Sequence, residues 1–269
     1  MALAIELTGK VVLICGAGRG GISGATARAV AAAGGTVVAL DREQVLLDQV
    51  AEDLAALGGT VHTLLVDLSD EAQCEAVVGR VLALTGRIDG VANVAGGTRE
   101  DEWVPLDETS TASFRQTLAI NLDYVFMICR DAARAMIAAG TGGSLVNVGS
   151  VSAIAAAPWH GPYGAGKSAI SALTRTMANE WHEFGIRANT VSPGGVMTER
   201  VANRRKAANV VDDGSVIFTL PEELANVIVF LLSDLANGVS GQTIVVDRSL
   251  STKFCAGTRK SRRQVGGER

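Results

Sequence analysis

Val11-Val12-Leu13-Ile14-Cys15-Gly16-Ala17-Gly18-Arg19-Gly20-Gly21-Ile22-Ser23-Gly24-Ala25-Thr26-Ala27 is an apolar run that breaks into glycines and then enters an alanine-rich helical pattern. It reads as strand, glycine turn and helix. In that context the helix's first amides can cradle a pyrophosphate, and the missing side chains let the anion approach. Gly16, Gly18 and Gly21 match G-x-G-x-x-G, while Gly16 and Gly20 match the start of G-x3-G-x-G with Ile22 in its third position. Both alignments stay open, and a merely flexible glycine turn is the plain alternative.

The next apolar run, 36–40, reads as a second strand, with Asp41 at its end, twenty residues beyond Gly21. A carboxylate there accepts from the ribose hydroxyls of NAD and repels the extra phosphate of NADP. Arg19 and Arg42 lie close in sequence and keep NADP possible; Asp41 also reads as an N-cap for the following helix. Further strands are expected at 61–66 (closed by Asp67), 88–94, 145–149, 186–191 and 242–246, with helical stretches between them, among them 108–139 and 161–184. Strands alternating with helices predict a single-domain doubly wound α/β fold, a seven-stranded parallel sheet with helices on both faces, over residues 1–252. Ligands of such sheets bind beyond the strands' carboxyl ends. Gly16, Asp41, Asp67, Asn93, Ser150 and Pro193 each follow or end a strand, so they converge on one edge.

Within Ser150–Lys167, Tyr163 and Lys167 stand four residues apart and share a helix face, and Ser150 lies thirteen residues before Tyr163, just after a strand. A free phenol titrates near ~10, too high for ready proton exchange at neutral pH. A neighbouring cation is expected to favour the phenolate and lower that value, as a general acid/base requires. A half-buried aromatic beside a solvated lysine is the bland version of the same pattern. Asn121 sits inside a helical stretch, where asparagine fits poorly unless its amide has a task or bonds back to its own helix.

With 269 residues, 48% hydrophobic and 19% charged, the chain can bury a large two-sided core. A net charge of −4 gives no reason to expect a nucleic acid, and no apolar run reaches the ~20 residues of a membrane span. The start lacks a secretory pattern, and Cys15, Cys74, Cys129 and Cys255 are scattered, so a cytoplasmic chain with reduced thiols is expected. His62, His160 and His182 show no metal-ligand spacing, and no metal is expected. Residues 196–219 are polar and irregular, placed to cover a substrate as a lid; 253–269 read as a basic tail. Trp103, Trp159, His160 and Met197 are candidates for the substrate wall. Ordinary loop packing is the alternative for Trp159 and Met197, and a solvated loop position for His160.

Taken in order, the glycine loop, Asp67, Asn93-Val94-Ala95-Gly96, Asn121, Ser150, Tyr163-Gly-Ala-Gly-Lys167 and Pro193-Gly194 resemble the short-chain dehydrogenase/reductase family across about residues 7–247. The resemblance implies a Rossmann fold in which Tyr163 is the acid/base and Lys167 holds the ribose and lowers the phenol's pKa. It implies that Ser150 orients the substrate oxygen and that Asn121 holds a water linking the lysine to solvent. Asp67, Leu68, Asn93, Ala95 and Gly96 would flank the cofactor's adenosine side, and Pro193, Gly194, Val196 and Thr198 its nicotinamide side. The implied activity interconverts a secondary alcohol and a ketone with NAD, NADP being possible, on a small-molecule substrate. A homo-oligomer, tetramer or dimer, is also implied. An NADPH-dependent reductase of 3-oxoacyl thioesters is the alternative; a non-catalytic NAD-binding protein would lack Ser150, Tyr163 or Lys167, and none is missing. Three departures stand out: a glycine loop one residue longer, with Cys15 replacing threonine; Val94 in the second position of the Asn-Asn-Ala-Gly pattern; and Arg248-Ser249 where two glycines are common.

Overall fold

The computed structural model describes residues 4–18, 20–98, 103–209 and 217–252; Arg19, the middle of the expected lid and the 253–269 tail lie outside them. Seven strands form one parallel sheet: β1 (Val11–Cys15), β2 (Thr36–Asp41), β3 (Val61–Leu65), β4 (Gly90–Asn93), β5 (Gly143–Val148), β6 (Ile186–Pro193) and β7 (Thr243–Val246), in the order β3-β2-β1-β4-β5-β6-β7. The order reverses between β1 and β4, which makes the gap beyond their ends the switch point of a doubly wound sheet. The expected fold class is the one observed.

Strand β1 shows why the sheet is buried on both faces. Val11, Leu13 and Cys15 join the core on one side, Val12 and Ile14 the core on the other. Helices α1 (Ile22–Ala32) and α2 (Gln44–Ala56) pack on the second face. On the first lie α3 (Glu71–Thr85), the pair α4 (Thr111–Leu118) and α5 (Tyr124–Ala139), and α6 (Gly161–Glu180). α7 (Glu199–Ala207) follows β6, and α8 (Pro221–Leu232) returns to the second face.

Helix starts follow their sequences. Asp70 caps α3 by accepting from the Gln73 amide, and Ser110 caps α4 through Ser113. α1 differs: its N-cap is Gly21, with no side-chain cap, so the positive end of the helix is open to an anion.

Three expectations change. The helix read at 108–139 begins at Thr111, and its middle, Ala119–Asp123, is a π turn joining α4 to α5. Its 108 end instead closes a short 3-10 turn. The lid is not wholly irregular, because Thr198 caps α7 by accepting from the Val201 amide. Strand β6 runs on to Pro193, paired with Val246 of β7.

Candidate active site

The glycine loop resolves into distinct roles. Gly16 has φ +88, and a Cβ there would sit 2.8 Å from the Ala95 Cβ, so this position requires glycine for both reasons. Its amide and that of Ala17 donate to the Leu40 carbonyl, and Ala95 N–H donates to the Cys15 carbonyl, which ties the loop to β2 and to the end of β4. Above Gly18 the space is open, with no described atom beyond its chain neighbours within 4 Å of a built Cβ. Gly24 and Ala25 donate to the carbonyls of Gly18 and Gly21. The amides of Ile22 and Ser23, first in α1, have no acceptor within the helix by its geometry. An open cradle over Gly18 and two forward-pointing amides at an uncapped helix start fit a pyrophosphate.

Asp41 ends β2 with its carboxylate half-buried and accepts from the Glu43 amide at 3.2 Å. Because α2 is capped at Glu43, Asp41 is not its N-cap. Burial pushes the Asp41 carboxyl up, against the pull of the Glu43 and Arg42 amides. Asp67 accepts from both the amide and the hydroxyl of Ser69, which lowers its carboxyl. Leu68 packs on the core, and its carbonyl accepts from the Cys74 thiol. Asn93 departs from the expectation. Its side chain is 1% exposed and donates to Asn147 Oδ1 at 2.8 Å and to Cys129 Sγ at 3.2 Å, facing the core and not the crevice. Its Oδ1 is buried and has no hydrogen-bond partner among the described residues.

At the end of β5 the chain brings Ser150, Tyr163, Lys167 and Asn121 together. Lys167 is 2% exposed, and its ammonium donates to the Val148 carbonyl at 2.9 Å while lying over the Tyr163 ring, 5.7 Å from its centroid. Ser150 is placed to pull the Tyr163 phenol's pKa down, and it accepts from the Ser152 amide at 3.1 Å. Asn121, buried in the π turn, accepts from Gly97 N–H and donates to the carbonyls of Gly97 and Thr117, each at 2.9 Å. So its amide has a task and also bonds back to its own helix. Gly96, φ +136, separates it from the lysine: a Cβ there would lie 2.6 Å from Asn121 Oδ1 and 3.3 Å from Lys167 Nζ. The electrostatics differ from expectation. Burial pushes the Tyr163 phenol up, with Ser150 pulling it down, and pushes Lys167 down to about 8. In the chain alone, desolvation outweighs the cation, which spends its hydrogen bond on a carbonyl.

Of the substrate-wall candidates, His160 and Trp103 stack with centroids 4.3 Å apart, and His160 lies 5.9 Å from the Tyr163 ring. Trp159, with φ +71 and 57% exposed, instead lines a 570 Å³ cavity with Pro105, Leu106 and Ala156 that includes none of Ser150, Tyr163 or Lys167. Met197 sits at the lid's base, where Val196 bridges Thr219 and Met197 N–H donates to the Thr219 carbonyl. The Thr198 hydroxyl, expected at the nicotinamide, caps α7. Pro193 is buried, and Gly194 lies against Asp247. Missed by the sequence was Glu199, whose amide donates to the Gly20 carbonyl at 3.0 Å. No group of metal ligands occurs among the described residues.

The family model described as enoyl-(acyl carrier protein) reductase matches residues 16–250. The chain is 34% identical to D-threitol dehydrogenase of Mycolicibacterium smegmatis over 92% of its own length and 95% of the relative's. It is 35% identical to a 3-oxoacyl-(acyl-carrier-protein) reductase of Thermotoga maritima, over 91% and 99% of the two chains. The structure of 7α-hydroxysteroid dehydrogenase with NADH and 7-oxo glycochenodeoxycholic acid matches with TM-score 0.80 and 28% identity, covering 90% of this chain and 94% of that one. With the open glycine cradle, the Ser150–Tyr163–Lys167 cluster and these matches, the chain belongs to the short-chain dehydrogenase/reductase family.

Proposed function

We propose that this crevice interconverts a secondary alcohol and a ketone, with Tyr163 moving the proton. The observation that carries it is a buried phenol whose pKa Ser150 pulls down and whose ring the buried Lys167 ammonium faces, 5.7 Å from the centroid. A bound nicotinamide accepts or supplies the hydride. In oxidation, Tyr163 as phenolate takes the hydroxyl proton of an alcohol that Ser150 holds. In reduction the phenol, kept protonated by its burial, returns that proton to the forming alkoxide. Lys167 stabilises the phenolate by charge, and Asn121 keeps the Gly96-Gly97 segment in place beside it.

The half-buried Asp41 at the end of β2 supports NAD over NADP, since a second negative group next to a ribose phosphate is repelled. A 3-oxoacyl thioester reductase is the second reading, favoured by the acyl-carrier reductase among the relatives. No described helix is long and apolar enough to cross a membrane. The buried free thiols of Cys15, Cys74 and Cys129 support a reducing, cytoplasmic setting. A 420 Å³ groove that sets Leu122, Met127 and the exposed Phe126 among Glu71, Glu75 and Arg130 supports self-association as a dimer or tetramer.

Turnover of a panel of secondary alcohols and ketones, and of a 3-oxoacyl thioester, with NAD and with NADP tests both readings. Tyr163→Phe is expected to lose at least ~10²-fold in kcat while retaining cofactor binding. Full activity in that variant removes the proposed acid/base.

A further inference from the structure

We propose that His160 determines substrate class: its Nε2 accepts a hydrogen bond from a second hydroxyl beside the reacting carbon, so that the site prefers diols and hydroxyketones over simple alcohols. The inference rests on the proposed hydride-transfer function and specifies its substrate.

The ring's orientation fixes which nitrogen is available. Nδ1 lies 2.8 Å from the Pro158 carbonyl. A carbonyl only accepts, so Nδ1 carries the proton, and in the neutral ring Nε2 is an acceptor. The neighbour of that lone pair is the Ser152 hydroxyl at 3.4 Å, a long bond that a better-placed donor displaces. Ser152 also donates its amide to Ser150 Oγ at 3.1 Å, so the acceptor stands on the Ser150 side of the wall. The ring is 5.9 Å from that of Tyr163 and pinned from behind by Trp103, whose indole N–H donates to Thr98. It therefore lies next to the spot between Ser150 and Tyr163 where the reacting oxygen is held.

The rest of the turn, Ala153-Ile154-Ala155-Ala156-Ala157, carries no polar side-chain atom. Among the described residues of this turn, a second hydroxyl turned toward it loses water and finds its side-chain acceptor in the Ser152–His160 pair, whereas a simple alcohol leaves that pair as it is. The second hydroxyl stays protonated throughout; hydride and proton leave the reacting carbinol alone.

The test compares kcat/KM for trans-1,2-cyclohexanediol and cyclohexanol, with NAD and with NADP, in the wild type, His160→Phe and His160→Gln. The wild type should prefer the diol by about tenfold, the scale of one added hydrogen bond. His160→Phe keeps a ring to stack on Trp103 and should lose the preference, the diol-to-cyclohexanol ratio of kcat/KM falling to about one. His160→Gln keeps an acceptor and should retain the preference. Equal rates for the two alcohols in the wild type overturn the role without any variant, as does a His160→Phe that slows both alike. Turnover of cyclohexanol but not the diol removes His160 and leaves hydride transfer standing; turnover of neither sinks both.

Discussion

The Glu199 amide donates to the Gly20 carbonyl at 3.0 Å, and the Glu199 side chain covers Gly20 so closely that a Cβ there would sit 2.5 Å from the Glu199 Cβ. The first turn of α7 thus rests on the glycine loop that would hold a pyrophosphate. Gly20 and Gly18 should therefore respond differently to a methyl group. Gly20→Ala forces α7 off the loop and lowers the melting temperature, because overpacking of this kind costs about 1–3 kcal/mol. Gly18→Ala meets no described atom beyond its chain neighbours within 4 Å and fills the cradle. It should leave melting unchanged and weaken NAD by about tenfold or more, measured by calorimetric titration. Equal melting temperatures in both variants would show that α7 does not bear on the loop.

Lys167 makes a pH-dependent prediction whose sign follows from its burial. Desolvation holds its folded pKa at about 8, below the ordinary 10.5. Below pH 8 the ammonium is charged in both folded and unfolded chains, and its burial penalty is fully present. Between 8 and 10.5 the unfolded chain binds the proton that the folded one has lost, so stability from this group rises with pH. Wild type should gain on Lys167→Met between pH 7 and pH 10 by on the order of 2–3 kcal/mol, at ~1.4 kcal/mol for each tenfold change in proton affinity. Parallel urea titrations of both proteins at the two pH values measure it. A gap that stays constant, or moves the other way, shows that the lysine is not desolvated.

What could be read beforehand was local. The glycine loop, Asp41 and the Tyr163–Lys167 spacing each lie within one strand–turn or one helix, where sequence distance fixes spatial distance. The direction of the Asn93 side chain was not legible, because β4 is buried on both faces: with apolar neighbours either side, alternation cannot say which way a residue points. Nor could sequence show that Lys167 would bond the Val148 carbonyl, since a main-chain acceptor has no letter. The Glu199 contact joins residues far apart in the chain, and only its Gly20 end belongs to a motif.

Asn121 gives a test of how the π turn serves the site. The extra residue of the turn carries an amide with three hydrogen bonds, two of them to Gly97. Asn121→Ala strands the Gly97 N–H and carbonyl beside the lysine. Each buried unsatisfied group costs about 1–3 kcal/mol. Because Gly97 is only partly buried, the two together are expected to cost about 2 kcal/mol in denaturant unfolding, the low end of their sum. Catalysis should fall with it, and hydrogen exchange at Gly97 should speed up. Unchanged exchange at Gly97 would mean that the segment is held by something other than Asn121.

The departure at Arg248-Ser249 has a structural counterpart. Both residues have left-handed backbones, φ +50 and +64, the region that favours glycine. Arg248 is compensated: its guanidinium forks onto Glu223, with contacts of 2.7 to 3.2 Å, and Glu223 in turn accepts from the Leu220 amide at the start of α8. Ser249 gains much less, since its hydroxyl bonds the adjacent Arg248 carbonyl and its own carbonyl accepts from Thr252. Removing the two side chains should therefore have unlike effects. Ser249→Gly relieves strain at no lost long-range contact and should stabilise by about 1 kcal/mol, the scale of the left-handed penalty. That corresponds to a melting temperature higher by roughly 2–4 °C in a chain of this size. Arg248→Gly relieves the same strain but frees Glu223, so it should melt no higher than wild type. If Ser249→Gly melts lower, the strain at that residue is already offset by its neighbours, and the backbone rather than the side chain sets the turn.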